Sequence, residues 1–236
     1  MRARSAEFES EMNADGLAAD SAGDAATGAL TARRTPSWYG PAKRAIDVTV
    51  AAVGLIVTLP VTLAAMAGIV LVTGEGPLYR QERVGLNGRK FMMYKLRSMV
   101  TDAHERRHEV RHLNEADGPV FKLRREPRLH PLGALLRRTS IDELPNFVNV
   151  LMGDMAIVGP RPPLPEEVAH YDERARRRLT VKPGVTCLWQ VSGRCELSFE
   201  QWMALDNAYI DRWTPFGDLG IIGQTIPAVI RGIGAC

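Results

Sequence analysis

Cysteine is scarce in this chain and does not pair up: Cys187, Cys195 and Cys236 form an odd set without metal-type spacing. That argues against a disulfide framework or a structural zinc site and favours a reduced, cytosol-facing domain. Aromatic residues are only 6%, and the aromatic-basic modules of a nucleic-acid binder are absent, so no nucleic acid is expected as a partner. No internal repeat is visible. Charge of either sign is missing from Val48 to Gly74, and large apolar side chains are almost missing from residues 1–37. These last two absences divide the chain.

Residues 1–37 are rich in Ala, Gly, Asp and Ser. They cannot bury enough surface to offset their ordering entropy, so the segment is expected to be disordered, and it is too polar and acidic for a secretory signal. It carries four arginines against six acids. The remaining chain holds 26 basic and 21 acidic side chains, a net of +5 that suits anionic lipid or a phosphorylated substrate.

The 27 residues Val48–Gly74 hold neither a charge nor a histidine. About 20 apolar residues are enough to cross a bilayer, so this is a membrane segment on length alone. Pro60 lies at its middle, where it removes a backbone hydrogen bond and kinks a helix. Lys43 and Arg44 precede the run, and Arg80, Arg83, Arg89, Lys90, Lys95 and Arg97 follow it, so positive charge flanks both ends. A re-entrant hairpin with both ends cytoplasmic satisfies both observations. The expected organisation is a disordered extension at 1–37, a re-entrant membrane helix at 38–74 and a cytoplasmic catalytic domain at 75–236. The fold class expected is α+β, mostly helical, with interfacial amphipathic helices.

Within that domain, turn signals at Gly74-Glu75-Gly76-Pro77 and Asn87-Gly88 predict a β-hairpin. Residues 101–117, 142–153, 163–178 and 198–212 read as helical. The apolar stretch Asp218–Ile233, with Trp202, Trp213 and Phe216, either lies along the lipid interface or closes the core. The run Arg176-Arg177-Arg178 is expected at anionic headgroups.

Two constellations carry candidate chemistry. "HERRH" places His104, Glu105 and His108 in a zinc-protease spacing, but Arg106 and Arg107 would set cations beside a divalent metal. A solvated helix with Glu/Arg/His pairs is the better account, although a membrane-anchored zinc metalloprotease is the alternative enzyme reading. A non-catalytic tethered scaffold is the other alternative.

The second constellation is "RRTSIDELPNFVNVLMGDMAIVGPRP", Arg137–Pro162, where Asp142 and Glu143 are adjacent. Touching like charges are costly unless something uses or neutralises them. Ser140 with Glu143 matches a capping box, but Pro145 would then sit too deep. A helix start near Asp142 fits better and puts both acids at the positive end of helix Phe147–Met152, as a cap or as a reactive anion.

In order, the basic-flanked hairpin, "YKLRSM", "LRRTSIDELPNFVNVLMGDMAIVGPRP", "VKPGVTCLWQVSGR" and the terminal amphipathic segment resemble the bacterial sugar transferase family, the monotopic phosphoglycosyl transferases. The resemblance runs from about Lys43 to the C-terminus. It implies transfer of a sugar 1-phosphate from a nucleoside diphosphate sugar, usually a UDP-sugar, to undecaprenyl phosphate in the inner (cytoplasmic) membrane, initiating surface-glycan synthesis. It implies Mg²⁺ held by Asp142 and Glu143, Asp142 as nucleophile and Glu143 as its partner. It also implies Pro60 at the re-entrant kink and Gly159-Pro160-Arg161-Pro162 near the donor phosphates. Arg161, fixed between prolines, suits a bidentate phosphate contact. Arg138, Lys95, Arg97 and Arg83 are further phosphate or membrane candidates, with a plain surface charge the competing reading of each. A homodimer is left open. Two departures stand out: Glu126-Pro127-Arg128 where the family has Asp-Pro-Arg, and Cys187 where it has a glycine after Pro-Gly-x-Thr, a change expected to alter loop geometry.

Overall fold

Helix α1, Tyr39–Thr73, is a single 35-residue element built from the charge-free run and the polar turns before it. In the computed structural model, which describes residues 39–231 apart from 104, 124 and 194–196, all described residues belong to one compact unit, Thr35–Cys236. The disorder expected of residues 1–37 lies outside the described residues. After α1 come β1 (Leu78–Val84), β2 (Lys90–Leu96), α2 (Arg107–Val110), α3 (Gly133–Arg138), α4 (Asn146–Met152) and β3 (Ala156–Val158). The rest is α5 (Pro165–Val168), α6 (Glu173–Arg176), β4 (Gly184–Thr186), α7 (Leu188–Ser192), α8 (Phe199–Asp211) and α9 (Pro215–Arg231). The domain is thus mostly helical, with a small β-hairpin and one long apolar helix.

The hairpin forms where the turn signals lie. Asn87 (φ 55) and Gly88 (φ 78) take the left-handed region that Asn and Gly tolerate best. Strands β1 and β2 pair antiparallel from Leu78↔Leu96 to Val84↔Lys90, which sets Lys95 opposite Tyr79 and Arg83 opposite Phe91. A second sheet is a two-stranded parallel pair, β3 with β4, aligning Val158 with Thr186.

Helix α1 touches the rest of the domain at two separated places. Near its start Ala51 is fully buried in the main core with Val150, Ile157 and Val158. Near its end Ile69 is fully buried against Leu96 and Leu136. Between them Ile56 and Val57 are 74% and 68% exposed. Pro60 lies in that stretch and offers no N–H to the Ile56 carbonyl. Thr58 donates back to Gly54 O at 2.6 Å and Thr62 to Thr58 O at 2.9 Å, bonds that bend helices.

The basic flank before the apolar run has an internal role. Buried Lys43 sits 2.7 Å from Asp218 of α9 and 3.3 Å from Asp47, whose Oδ1 accepts from the Ile157 amide. Arg44 donates to the Val150 and Leu151 carbonyls at 2.6 and 2.9 Å, satisfying the open end of α4. Asn149, fully buried on α4, accepts from the Tyr94 amide and donates to Met92 O, tying that helix to β2.

Several expectations are corrected. Residues 101–117 do not form one helix; the 3₁₀ turns Thr101–Ala103 and Arg111–Leu113 flank a four-residue α2. Residues 163–178 break likewise, because Asp172 caps a new helix by accepting from the Ala175 amide. Ser140 is no cap: its φ is 55° and its side chain makes no capping bond. The capping box belongs to Ser198 and Gln201 at the start of α8. Arg178 does not reach headgroups, being buried against Asp206 at 2.8 Å. Trp202 is buried rather than interfacial, whereas Phe216 on α9 is 84% exposed. At Cys187 the backbone is extended (φ −153, ψ 164), a conformation any residue adopts, so the missing glycine changes no turn.

Gly133 opens α3 where only a hydrogen fits. A Cβ there would lie 1.9 Å from the Ser98 carbonyl oxygen, in a segment already tied by the His130 amide to that same oxygen. Gly133→Ala is therefore expected to destabilise the domain by about 3 kcal/mol. Denaturant unfolding in detergent checks it, with Gly40→Ala, which meets nothing within 4 Å, as the neutral control.

Candidate active site

The two carboxylates lie in a 3₁₀ turn, Ile141–Glu143, ahead of α4 and facing β2. Asp142 is 6% exposed. Glu143 is partly buried, with Oε1 2.7 Å from Lys95 Nζ. The strand register aims Lys95 at this turn, and Asn149 holds the strand to α4. Burial pushes the Asp142 carboxyl up to about 6 with help from Glu143, against the pull of Lys95 and Arg137. For Glu143 burial also acts upward, but Lys95, Arg161 and Arg83 outweigh it and hold that carboxyl below its usual range. Adjacent acids are thereby driven apart, the pattern of paired groups with different tasks.

The turn lines a cleft of about 630 Å³, within the range of small-molecule sites. Lys95, Arg97, Arg83, Arg137 and Arg161 face it, with Trp189 and Trp202 on its wall. Arg83 is buried, donates to Pro162 O at 2.9 Å and to Gln81 Oε1 at 2.6 Å, and leaves its Nε without a hydrogen-bond partner. Burial and the neighbouring Arg161 push its guanidinium down to about 9. Two arginines forced together by the fold make a place for an anion, whose arrival relieves both repulsion and burial. Arg161 projects from the Pro160/Pro162 bracket over the Trp202 ring, 5.7 Å from its centroid.

Of the residues singled out from sequence, Asp142, Glu143, Lys95, Arg97, Arg83 and Arg161 come together here. Arg97 donates from Nε to Gly76 O and is half-buried. Arg138 points away, exposed on α3 and outside the lining. Its neighbour Arg137 takes the cleft position instead, donating from Nε to Ser98 Oγ at 3.2 Å. Burial lowers the Arg137 guanidinium while Asp142 pulls it back. No sequence signal separates the two arginines: the packing of α3 buries Gly133 and Leu136, and Arg137, four after Gly133, shares their face. Trp189 and Trp202 were also missed as cleft residues. Glu126 and Arg128 close a bidentate pair at 2.7 Å.

Among the described residues no group of three or more His, Cys, Asp and Glu could hold a metal. Of "HERRH", His104 lies outside the described residues; His108 is exposed, its Nδ1 2.6 Å from the Glu105 carbonyl oxygen. The expected Arg–Glu pairing is present between Arg106 and Glu109 at 3.2 Å. Two adjacent carboxylates, one oxygen of which is engaged by Lys95, do suit a hard cation that completes its coordination with phosphate and water oxygens.

The profile of the family described as "Bacterial sugar transferase" matches residues 38–232. The chain is 43% identical over 195 residues to the galactosyl transferase CpsE of Streptococcus agalactiae, covering 82% of this chain and 43% of that protein. It is 38% identical over 200 residues to the exopolysaccharide production protein ExoY of Rhizobium meliloti, covering 83% and 88%. To the undecaprenyl-phosphate galactose phosphotransferase of Salmonella typhimurium it is 36% identical over 201 residues, covering 82% and 41%. The chain spans less than half of the first and third of these relatives. With the profile matched along nearly the whole described chain, the protein belongs to the bacterial sugar transferase family.

Proposed function

We propose that the protein is a phosphoglycosyl transferase that moves a sugar 1-phosphate from a UDP-hexose to undecaprenyl phosphate, releasing UMP and initiating surface-glycan synthesis. The observation that carries this is the Asp142–Glu143 pair, with Asp142 buried and Glu143 partly buried, facing Lys95, Arg83, Arg137 and Arg161 across one cleft. Relatives named as galactosyl and undecaprenyl-phosphate galactose transferases point to the same substrate class.

An Asp142 oxygen attacks the phosphorus that bears the sugar. The bond from that phosphorus to the bridging oxygen breaks, and UMP leaves with the electron pair. A phosphate oxygen of the polyprenyl acceptor then attacks the same phosphorus and returns Asp142 as a carboxylate. Arg161 and Arg83 hold the diphosphate oxygens, and Lys95 keeps Glu143 ionised beside the reacting centre. Asp142 and Glu143 would hold Mg²⁺, which when bound neutralises developing charge on the phosphoryl oxygens. Donor and enzyme without acceptor should release at most one UMP per site, leaving a hydroxylamine-labile acyl phosphate on the protein. UMP appearing only after acceptor is added would refute the two-step route.

The re-entrant topology belongs to the same reading. Helix α1 is long and apolar enough to cross a membrane, and only 6% of its most apolar window is buried. A continuous exposed apolar surface needs a lipid cover. Yet both Ala51 and Ile69 pack on the same domain, so a helix that enters the bilayer and bends at Pro60 keeps both contacts. On this reading residues 38–74 lie in the cytoplasmic membrane and the domain 75–236 in the cytoplasm. Single cysteines at Ser37 and Asn87 should both resist labelling from outside intact cells. Periplasmic labelling of Ser37 would establish a full span instead.

A further inference from the structure

We propose that Arg178 and Asp206 form a positioning pair for Arg161, and so set how firmly the cleft holds a diphosphate. The inference rests on the reading of Arg161 as a phosphate contact. Arg178 lies in the 3₁₀ turn Arg177–Thr180 and Asp206 on α8; they are 3% and 1% exposed, and neither lines the cleft. Their charged atoms are 2.8 Å apart. From this anchored position Arg178 donates through Nη2 to the Arg161 carbonyl at 3.0 Å and through Nη1 to the Tyr171 hydroxyl at 2.9 Å. Its guanidinium also lies over the Trp202 ring, 5.0 Å from the centroid, and the Arg161 guanidinium lies over that same ring at 5.7 Å. Trp202 and Asp206 are four residues apart on α8, one helical turn, so a single helix face carries both supports.

Arg161 is thus fixed through its flanking prolines, its carbonyl and its guanidinium. Arg178 cannot itself serve the substrate, because it lies outside the cleft and its Nη1 and Nη2 donors face Tyr171, the Arg161 backbone and Asp206, while its Nε is buried without a hydrogen-bond partner. Nor does stability account for the pair. Two buried ions are costly to desolvate, and replacing such a pair with apolar residues of similar size is often neutral or stabilising. Removing only one partner would strand a buried charge, so both must be changed together to separate positioning from folding.

The test is the double change Arg178→Met with Asp206→Leu, with inorganic pyrophosphate as the probe of the phosphate subsite. The expected result is a melting temperature near wild type, a donor KM raised about tenfold and pyrophosphate inhibition weakened by a similar factor. In an Arg161→Ala background the same double change should cost almost nothing more, because it acts through a side chain already removed. An unchanged KM, or a full tenfold effect added on top of Arg161→Ala, overturns the proposal. If the double change does not fold, Tyr171→Phe removes one support without stranding a charge. It should raise the donor KM about threefold, again only when Arg161 is present; an additive or absent effect counts against the proposal. Wild-type protein that releases no UMP from donor would overturn the functional reading and this inference together, whereas UMP release with no coupling to Arg161 overturns the inference alone.

Discussion

Asp142→Asn should abolish both the acceptor-independent release of UMP and the covalent label while leaving the fold intact. Asparagine matches aspartate in size, so packing in the Ile141–Glu143 turn survives, and the protein even sheds the cost of burying an anion. What it loses is the nucleophile: an amide oxygen gives no acyl phosphate that a second phosphate can open. Loss of at least about a thousandfold in single-turnover UMP release is expected, the scale of removing a covalent nucleophile. The melting temperature should hold or rise, and the label should be missing from the peptide containing position 142. Full single-turnover release by the variant would make Asp142 a metal ligand or a structural residue and move the search for the nucleophile elsewhere in the cleft.

The β-hairpin, α1 and α8 were legible in the sequence: the Asn87-Gly88 turn and the charge-free run are local signals, and 198–212 reads as helical where α8 forms. The acid pair was legible as well, since adjacent carboxylates beside a Gly-Pro-Arg-Pro bracket are costly without a use. What failed depends on tertiary neighbours. Arg138 and Arg137 are indistinguishable in composition, and only the packing of Leu136 and Gly133 decides which one faces the cleft. The run Arg176–Arg178 reads as a contact for anionic headgroups until Asp206, 28 residues later, is brought against Arg178. Trp202 reads equally as a lipid anchor or a core residue until Arg161 and Arg178 approach its ring. The polar segments 101–117 and 163–178 are helix-prone, yet local side-chain bonds such as Asp172 to Ala175 outcompete a continuous helix. Lys43 shows the same limit: it reads as a topology signal and is a buried partner of Asp218.

Lys95→Met should cut turnover at pH 7 by about a hundredfold and shift the acid limb of the pH–rate profile upward, because Lys95 is the main cation holding both carboxylates ionised. In the wild type, Asp142 titrates at about 6, so the fraction of enzyme with an ionised nucleophile falls about tenfold for each pH unit below that value. Burial and Glu143 push this carboxyl up, and Lys95 is the first influence pulling it down. The same ammonium sits 2.7 Å from Glu143 and holds that group low against its burial. Without it, two adjacent carboxylates share a partly dry site with only Arg137, Arg161 and Arg83 to offset them. The sign is therefore fixed: the proton-bound form of the pair gains, and its apparent pKa values rise. Methionine keeps most of the lysine stem, so the loss is of charge rather than of packing. Activity should recover in part as the pH is raised towards 9, which a mere loss of substrate contact would not permit. A variant equally impaired at pH 7 and pH 9, with an unshifted acid limb, would show that Lys95 acts on the donor phosphate alone and leaves the carboxylate pair to the arginines around it.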